Sequence, residues 1–211
     1  LCDEAVADYH RVLEAIREQG LDCNISIKLT QLGLHISPEL CYENVRKIVD
    51  KANAYSIFVR VDMEDSSVTS ATIALFLRLH AEYPKTGIVL QAYLRRTLAD
   101  LKGLAADKIN FRICKGIYIE PRRQAYQDPG IVNDNFSLLL ETALQAGSYV
   151  GIATHDEKMV WQGLSIIHRL GLKPDQYEFQ MLLGVDEELR DIIVAAGHKL
   201  RVYVPFGRRW Y

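Results

Sequence analysis

Long apolar runs are missing from this sequence of 211 residues. A membrane-spanning helix needs about 20 consecutive, mostly apolar residues, and no segment of the chain meets that condition. The first residues, LCDE, are acidic and lead into no apolar segment, so we expect no signal peptide. Cysteine is sparse, with no CxxC pair and no metal-ligand spacing among Cys2, Cys23, Cys41 and Cys114. We therefore expect reduced thiols, no metal site and a cytoplasmic protein.

An excess of charge of one sign is also missing. Lysine and arginine number 25 and aspartate and glutamate 27, which gives a formal net charge of −2. Three pairs of adjacent arginines lie far apart, at positions 95–96, 122–123 and 208–209. Because binding to nucleic acid normally needs a clustered basic face, we expect no nucleic-acid partner. No G-x-S-x-G motif is present, so acyl transfer by an activated serine gains no support.

Seven short runs rich in β-branched and aromatic residues predict buried parallel strands. The predicted strands are Asn24–Leu29, Ile57–Val61, Ile88–Tyr93, Asn110–Cys114, Tyr149–Ala153, Glu178–Leu182 and Leu200–Val204. A helical pattern precedes the first run and separates each later pair. This alternation predicts a parallel sheet with helices packed outside it.

Residues that favour helix ends punctuate the helical stretches. Ser37-Pro38 predicts an N-cap followed by a proline at the first helical position. Asn133 or Asp134 is the predicted cap of the stretch that ends at Gly147, where a glycine favours helix termination.

Two architectures fit the alternation, a doubly wound open sheet and an eight-stranded barrel. No G-x-G-x-x-G motif follows the first predicted strand, so the usual dinucleotide-binding fingerprint is absent. Seven strands preceded by a helix also match a (β/α)8 barrel that lacks its first strand and its last helix. We therefore predict an α/β fold of the (β/α)8 TIM-type barrel class, incomplete at both ends. We expect residues 1–211 to form one catalytic domain.

A side chain able to form hydrogen bonds stands at or just after the end of every predicted strand. In chain order these residues are Lys28 and Thr30, Asp62 and Glu64, Gln91, Arg112 and Lys115, Thr154 and His155, Gln180, and Tyr203. In a barrel the carboxyl ends of the strands surround one shared mouth, where active sites lie. We therefore expect these residues to form a functional site.

The charged residues of the apolar strands leave specific alternatives open. Lys28 either extends to solvent or pairs with a carboxylate such as Asp62, because an unpaired buried ammonium is costly. Asp62 and Glu64 either form a general acid–base pair or belong to a capping run for the helix that begins near Thr69. Arg112 lies between two apolar residues and must find a partner or bind an anion.

The loops after the fourth and fifth predicted strands carry two further candidates. Lys115-Gly116 permits a close approach of the backbone to a ligand. His155, which follows Thr154, is a candidate catalytic base, metal ligand or loop cap, but no second His or Cys lies at strand-end spacing that would complete a metal site. The residues alone thus predict a barrel enzyme that binds an anionic or flavin-type ligand.

Seven ordered motifs carry a resemblance to a known family. They are SIKLTQLGL at 26–34, VRVDMED at 59–65, LQAYLRRT at 90–97, FRICKGIY at 111–118, ATHD at 153–156, YEFQMLLGV at 177–185 and RVYVPFG at 201–207. Together they resemble the proline dehydrogenase family, single-domain bacterial type, over essentially the whole chain. The resemblance implies a (β/α)8 barrel that holds FAD non-covalently and oxidises L-proline to Δ1-pyrroline-5-carboxylate by hydride transfer from C5 to the flavin N5. It also implies a quinone or another electron acceptor, and it allows a peripheral position at the inner membrane face.

The resemblance further implies roles for individual residues. It implies that Asp62 and Arg112 are catalytic, and that Lys28, Leu182 and Tyr203 bind the substrate. It implies cofactor contacts for Met63, Gln91, Arg112, Cys114, Lys115, Gly116, Thr154 and His155. An arginine near the flavin N5 is expected to stabilise the anionic reduced flavin.

Three features depart from the family pattern. Ile117 stands where alanine is usual, which we expect to narrow the substrate pocket. Asp156 stands where asparagine is frequent, which we expect to weaken a cofactor contact. The paired arginines that clamp the proline carboxylate are expected beyond Tyr211, because Arg208-Arg209 follows the seventh strand too closely to be that pair.

Alternatives remain within and outside this family. Hydroxyproline dehydrogenases are similar, and the residues of the pocket wall decide between the two substrates. A Schiff-base aldolase or lyase on the same fold would use Lys28 or Lys115 as its nucleophile. A barrel without catalytic activity would serve only as an interaction module.

Overall fold

Helices and strands alternate along the chain, as the sequence pattern predicts. The computed structural model describes residues 1–207, and within them the chain forms seven α-helices and seven β-strands. It divides into two compact units, Leu1–Val89 and Leu90–Tyr211. The expectation that residues 1–211 form one catalytic domain therefore stays a prediction.

The first unit begins with a helix and contains two complete strands. Its elements are α1 (Cys2–Glu18), β1 (Ile25–Ile27), α2 (Pro38–Ala54), β2 (Val59–Val61) and α3 (Thr69–Glu82). Strand β3 (Thr86–Gln91) runs across the boundary between the two units. The second unit continues with α4 (Thr97–Leu104), β4 (Asn110–Cys114), α5 (Pro129–Gln145), β5 (Val150–Ala153), α6 (Glu157–Leu170), β6 (Tyr177–Leu182), α7 (Glu187–Ala195) and β7 (Leu200–Tyr203), with a short 3-10 turn after α4.

All seven strands belong to one parallel sheet, and neighbouring strands follow one another in sequence order from β1 to β7. A doubly wound sheet reverses its strand order at a switch point, and this sheet contains no reversal. Unbroken sequence order is the arrangement of (β/α) barrels. The predicted α/β fold of the TIM-type class is therefore confirmed, and the doubly wound alternative is wrong.

Helices cover the sheet through apolar stripes that repeat with the helical period. The positions i, i+3, i+4 and i+7 are buried in α2 as Val45, Ile48, Val49 and Ala52. The same spacing recurs in α5 as Phe136, Leu139, Leu140 and Ala143. Burying one large apolar side chain stabilises the fold by about 1.5–3 kcal/mol, so each stripe holds its helix against the core. No helix of residues 1–207 is both long enough and apolar enough to cross a membrane.

The observed helix caps confirm one prediction and correct two others. Ser37 caps α2 as predicted, and its hydroxyl accepts a hydrogen bond from the Leu40 amide at 3.4 Å. Helix α3 begins at Thr69, but its cap position is Val68 and receives no side-chain hydrogen bond. The capping role considered for the segment around Glu64 is therefore wrong. Its neighbour Asp65 instead accepts from the Ser67 amide at 2.9 Å.

The cap of α5 lies five residues before the earlier of the two predicted positions. Asp128 is the N-cap, and its carboxylate accepts from the Ile131 amide at 3.0 Å, while Pro129 occupies the first turn. Asn133 and Asp134 lie inside the helix, so the prediction of either as the cap is wrong. Asp128-Pro129 repeats the cap–proline signature that identified the start of α2.

Replacement of the true cap should cost more stability than replacement of the falsely predicted one. Asp128→Ala leaves a helix amide without its acceptor, and we expect a loss of about 1 kcal/mol in the free energy of unfolding. Asp134→Ala, at an exposed helical position, should change it by less than about 0.5 kcal/mol. Urea denaturation of both variants measures the difference, and equal effects would contradict the assignment of the cap.

Candidate active site

In the first unit, Lys28 and Asp62 form an ion pair just beyond the ends of β1 and β2. Parallel pairing places Ile27 opposite Val61, so the residues that follow each of them become neighbours. The Lys28 Nζ donates to the Asp62 Oδ2 at 2.7 Å, and Asp62 is only 6% exposed. A buried carboxylate requires such a partner. Pairing, one of the two alternatives for Lys28, is confirmed, and extension of Lys28 to solvent is wrong.

Glu64 accepts hydrogen bonds from Thr30, whereas Asp62 accepts from Lys28. It is buried, and its Oε2 accepts from the Thr30 amide at 3.0 Å while its Oε1 accepts from the Thr30 hydroxyl at 2.6 Å. Both oxygens of Glu64 therefore hold the loop after β1, and a general acid–base pair with Asp62 is not formed. Met63, between the two carboxylates in sequence, is buried.

In the second unit, Arg112 is buried within β4. Its Nε donates to the Gln180 Oε1 at 2.5 Å, and its guanidinium carbon lies 5.1 Å from the centre of the Tyr203 ring. The expectation that Arg112 must find a partner is therefore confirmed, and Gln180 on β6 supplies that partner.

Glu178 is a buried acid of β6 that sequence reasoning assigned no role. Its carboxylate accepts from the Gln180 Nε2 at 2.6 Å, from the Arg201 Nε at 3.0 and 3.2 Å, and from the Tyr149 hydroxyl at 3.2 Å. Glu178 and Gln180 alternate with Phe179 in the strand and therefore share one face of the sheet. A charged residue within a strand of mostly apolar residues is the sequence signal that could have identified Glu178.

Lys115 and Asp156 form a second ion pair within the second unit. The Lys115 Nζ donates to the Asp156 Oδ2 at 2.5 Å, while the Asp156 Oδ1 accepts from the Lys158 amide at 3.0 Å and so caps α6. The hydrogen bond from Lys115 holds the pKa of Asp156 below its usual value. Thr154 supports the same turn, since its hydroxyl accepts from the Asp156 amide at 3.1 Å.

Gly116 is required by an aromatic ring of the protein itself. Its φ of +108° is one that L side chains rarely adopt, and a Cβ at this position would overlap the ring of Tyr93. The ring of Tyr93 therefore accounts for the glycine, and the close approach of the backbone to a ligand stays a prediction. Cys114 precedes it at the end of β4, with its Sγ 3.8 Å from the Leu90 carbonyl oxygen. Gln91 ends β3 and is buried.

A backbone amide fixes the tautomer of the neutral His155 ring. The Leu182 amide donates to its Nε2 at 2.7 Å, so the neutral ring carries its proton on Nδ1. Burial lowers the pKa of His155, and the charge of Asp186 opposes that shift. Leu182 in turn pairs with Tyr203 across β6 and β7, which brings two predicted substrate-binding residues opposite each other.

Within residues 1–207, no group of three or more His, Cys, Asp or Glu side chains is arranged to hold a metal ion. Arg208 and Arg209, which follow the seventh strand too closely to be the expected carboxylate clamp, lie outside the described residues.

Comparison with known proteins relates this arrangement to a family. A family model described as proline dehydrogenase matches residues 2–209. The chain is 36% identical to a proline dehydrogenase of Deinococcus radiodurans over 215 aligned residues, covering 100% of this chain and 69% of that relative. The chain belongs to the proline dehydrogenase family. Proline dehydrogenase 1 of Bacillus subtilis subsp. natto is 34% identical over 99% of this chain and 69% of its own length.

Solved structures agree on the fold of this family member. Proline utilization A (PutA) from Bdellovibrio bacteriovorus, inactivated by N-propargylglycine, superposes with a TM-score of 0.90 at 22% identity, over 99% of this chain and 27% of that one. The family model and the two proline dehydrogenase relatives confirm the predicted membership of the family, which is one of oxidoreductases that act in proline catabolism. Family membership also implies a flavin enzyme whose substrate is proline.

The half-buried His155 should make stability depend on pH. Its folded pKa lies below the ordinary value of 6.5, so the unfolded chain binds the proton more readily. The stability it contributes is therefore fully present above about pH 6.5 and is lost as the pH falls through the lowered folded pKa. We expect His155→Gln to flatten the pH dependence of the unfolding free energy between pH 5 and 7. Parallel curves for parent and variant over that range would contradict this account.

Proposed function

We propose that this chain catalyses the FAD-dependent oxidation of L-proline to Δ1-pyrroline-5-carboxylate. The observation that carries the proposal is Arg112, a buried cation within β4 whose Nε donates a hydrogen bond to Gln180. Family membership supports the substrate, and the seven motifs that resemble the family support the individual roles.

The donors of the second unit fit a flavin dinucleotide. Buried Gln91 offers an amide suited to the polar edge of a ring system, and Arg112 and Lys115 are cations suited to an anionic group. The Thr154 hydroxyl and the Nδ1–H of His155 provide two further hydrogen-bond donors in the loop after β5. We propose that these five residues hold FAD, together with Met63, Cys114 and Gly116, as the resemblance implies. When bound, FAD supplies the hydride acceptor for C5 of proline.

Arg112 is the proposed electrostatic catalyst. An arginine side chain carries a permanent positive charge in proteins. A fixed cation stabilises negative charge as it develops and needs no reorganisation during the reaction. The hydrogen bond to Gln180 and the contact with the Tyr203 ring keep the group in place.

Asp62 and Lys28 are proposed to act on the substrate. Asp62 offers a buried carboxylate suited to the cyclic amine nitrogen of proline, and Lys28 balances its charge at 2.7 Å. Leu182 and Tyr203, paired across β6 and β7, are proposed to form part of the wall around the apolar ring of the substrate. We include in this proposal a single catalytic domain, a quinone or similar acceptor, and a cytoplasmic protein that associates peripherally with the inner membrane face.

The Schiff-base alternative is disfavoured by the state of both candidate lysines. The Nζ atoms of Lys28 and Lys115 lie 2.7 and 2.5 Å from carboxylate oxygens. An ammonium held in an ion pair has no lone pair with which to attack a carbonyl. Hydroxyproline dehydrogenase remains the alternative within the family, because it would use the same residues on a more polar ring.

Reduction of bound flavin by proline is the decisive test. We expect the purified protein, loaded with FAD, to lose its visible flavin absorbance when L-proline is added without oxygen. Parallel additions of trans-4-hydroxy-L-proline and D-proline establish which ring and which enantiomer react. The proposal would be contradicted if the protein remains colourless after loading with FAD. It would also be contradicted if L-proline leaves the bound flavin oxidised. Faster reduction by hydroxyproline would favour the alternative substrate.

The charge and the shape of Arg112 can be separated by substitution. Arg112→Lys keeps a positive charge but loses the Nε–H that Gln180 accepts, and we expect kcat to fall by roughly a hundredfold. Arg169→Lys makes the same chemical change on the exposed part of α6 and should leave kcat unaltered. Rapid-reaction measurement of flavin reduction gives both values. An unchanged kcat in Arg112→Lys would remove this residue from the mechanism.

A further inference from the structure

We propose that Gln180, oriented by Glu178 and accommodated by Gly151, is a positioning residue that fixes the guanidinium of Arg112. The contacts that support this inference lie within the second unit. The catalytic consequence rests on the proposed function, because it requires that Arg112 act on the flavin.

The bond between Arg112 and Gln180 is placed where it controls orientation. It joins the Nε of Arg112 to the Oε1 of Gln180 at 2.5 Å, and both side chains are buried. Because Nε lies at the root of the planar guanidinium, an acceptor there fixes the rotation of the whole group and hence the direction of its Nη atoms. Ordinary packing around the aliphatic stem would not set that rotation.

Glu178 determines which way the Gln180 amide faces. An ionised carboxylate only accepts hydrogen bonds, and Glu178 receives the Gln180 Nε2 at 2.6 Å. The Arg201 Nε lies 3.0 and 3.2 Å from the two oxygens of the same carboxylate and balances its charge. A flipped amide would set its oxygen against Glu178 and its NH2 against the Nε–H of Arg112. Both contacts would be repulsive, so the network permits one orientation.

Gly151 provides the space that the Gln180 amide occupies. Residue 151 lies on β5, paired with Arg112 on one side and with Glu178 on the other. A Cβ at this position would lie 2.5 Å from the Gln180 Nε2 and 2.9 Å from its Cδ. The nearest obstruction is thus the end of the Gln180 side chain, so an alanine would displace the amide. At Gly163 of α6, an added Cβ would meet atoms no closer than 3.6 Å, an ordinary contact.

The positioning itself can be measured without any variant and without flavin. In the parent protein we expect the Arg112 Nε–H proton to exchange slowly with solvent in a nitrogen-15 NMR spectrum, because it is buried and hydrogen-bonded. The exposed side chain of Arg169 provides the fast reference in the same spectrum. Exchange of the Arg112 proton at the Arg169 rate would overturn the proposal.

Two variants then test the consequence for catalysis. Gln180→Met removes the acceptor at nearly constant volume, and Gly151→Ala displaces the amide while it changes no polar group. For each we expect kcat to fall about tenfold with KM for proline within about twofold, since Arg112 stabilises charge that develops in the reaction. We also expect the reduced flavin to be bound about tenfold less favourably relative to the oxidised form, which for a two-electron couple lowers the midpoint potential by about 30 mV.

Matched controls separate positioning from loss of stability. Asn44→Leu removes another buried amide, whose Nδ2 donates to the Leu32 carbonyl at 3.1 Å, and Gly163→Ala adds a methyl group where space exists. Both should keep the parent midpoint potential. If Gln180→Met does not fold, Gly151→Ala and the parent NMR spectrum still decide the question.

The outcomes distinguish this inference from the proposed function. A parent protein that binds FAD but is not reduced by proline removes the proposed function, while the exchange rates and midpoint potentials continue to test the positioning of Arg112. Folded Gln180→Met and Gly151→Ala proteins with parental exchange rates and potentials would overturn the positioning role, whether or not proline is the substrate.

Discussion

Charge buried in a parallel sheet must be paired within the sheet, and the candidate catalytic residues of this protein follow from that constraint. Removing a carboxylate, an ammonium or a guanidinium from water costs several kcal/mol unless partners replace the lost hydration. In the first unit, Lys28 provides the partner for Asp62. In the second unit, Arg112 is connected through Gln180 to Glu178, which also binds Arg201.

The geometry of parallel strands makes these pairings possible. Side chains alternate between the two faces of a strand, and neighbouring strands in register bring equivalent positions side by side. Pairing of Ile27 with Val61 therefore brings Lys28 next to Asp62. Pairing of Gly151 with Glu178 leaves room for a long side chain, and the Gln180 amide fills that room. A slip of one residue in strand pairing would turn every partner to the opposite face. The register of the sheet therefore determines which charged side chains can pair.

At two glycines, Gly116 and Gly151, another side chain occupies the position that a Cβ would take. A Cβ at Gly116 would overlap the ring of Tyr93, and a Cβ at Gly151 would overlap the amide of Gln180. A glycine in a site motif is commonly interpreted as room for a ligand. In this protein the position that a Cβ would take is occupied at both glycines by a side chain of the chain itself.

Much of the fold was predictable because its signals are local. Each observed strand lies within two residues of its predicted ends, since β-branched runs bounded by helical patterns need no knowledge of distant residues. The cap at Ser37 was found for the same reason, whereas Asp128 was missed because two other cap-forming residues follow it in the next turn. The family was also predictable, because seven motifs in order form a specific pattern.

By itself the sequence determined the alternation of strands and helices, the polar residues at the strand ends and the family to which they belong. Only the tertiary structure decided how those residues are paired. Glu64 was predicted as a possible acid–base partner of Asp62 and instead holds Thr30, and Glu178 had no assigned role until its contact with Gln180 was seen. The reason is that a hydrogen bond between residues 34 or 68 positions apart, such as Lys28–Asp62 or Arg112–Gln180, depends on strand register and side-chain direction. Neither quantity is encoded in the local pattern of residues.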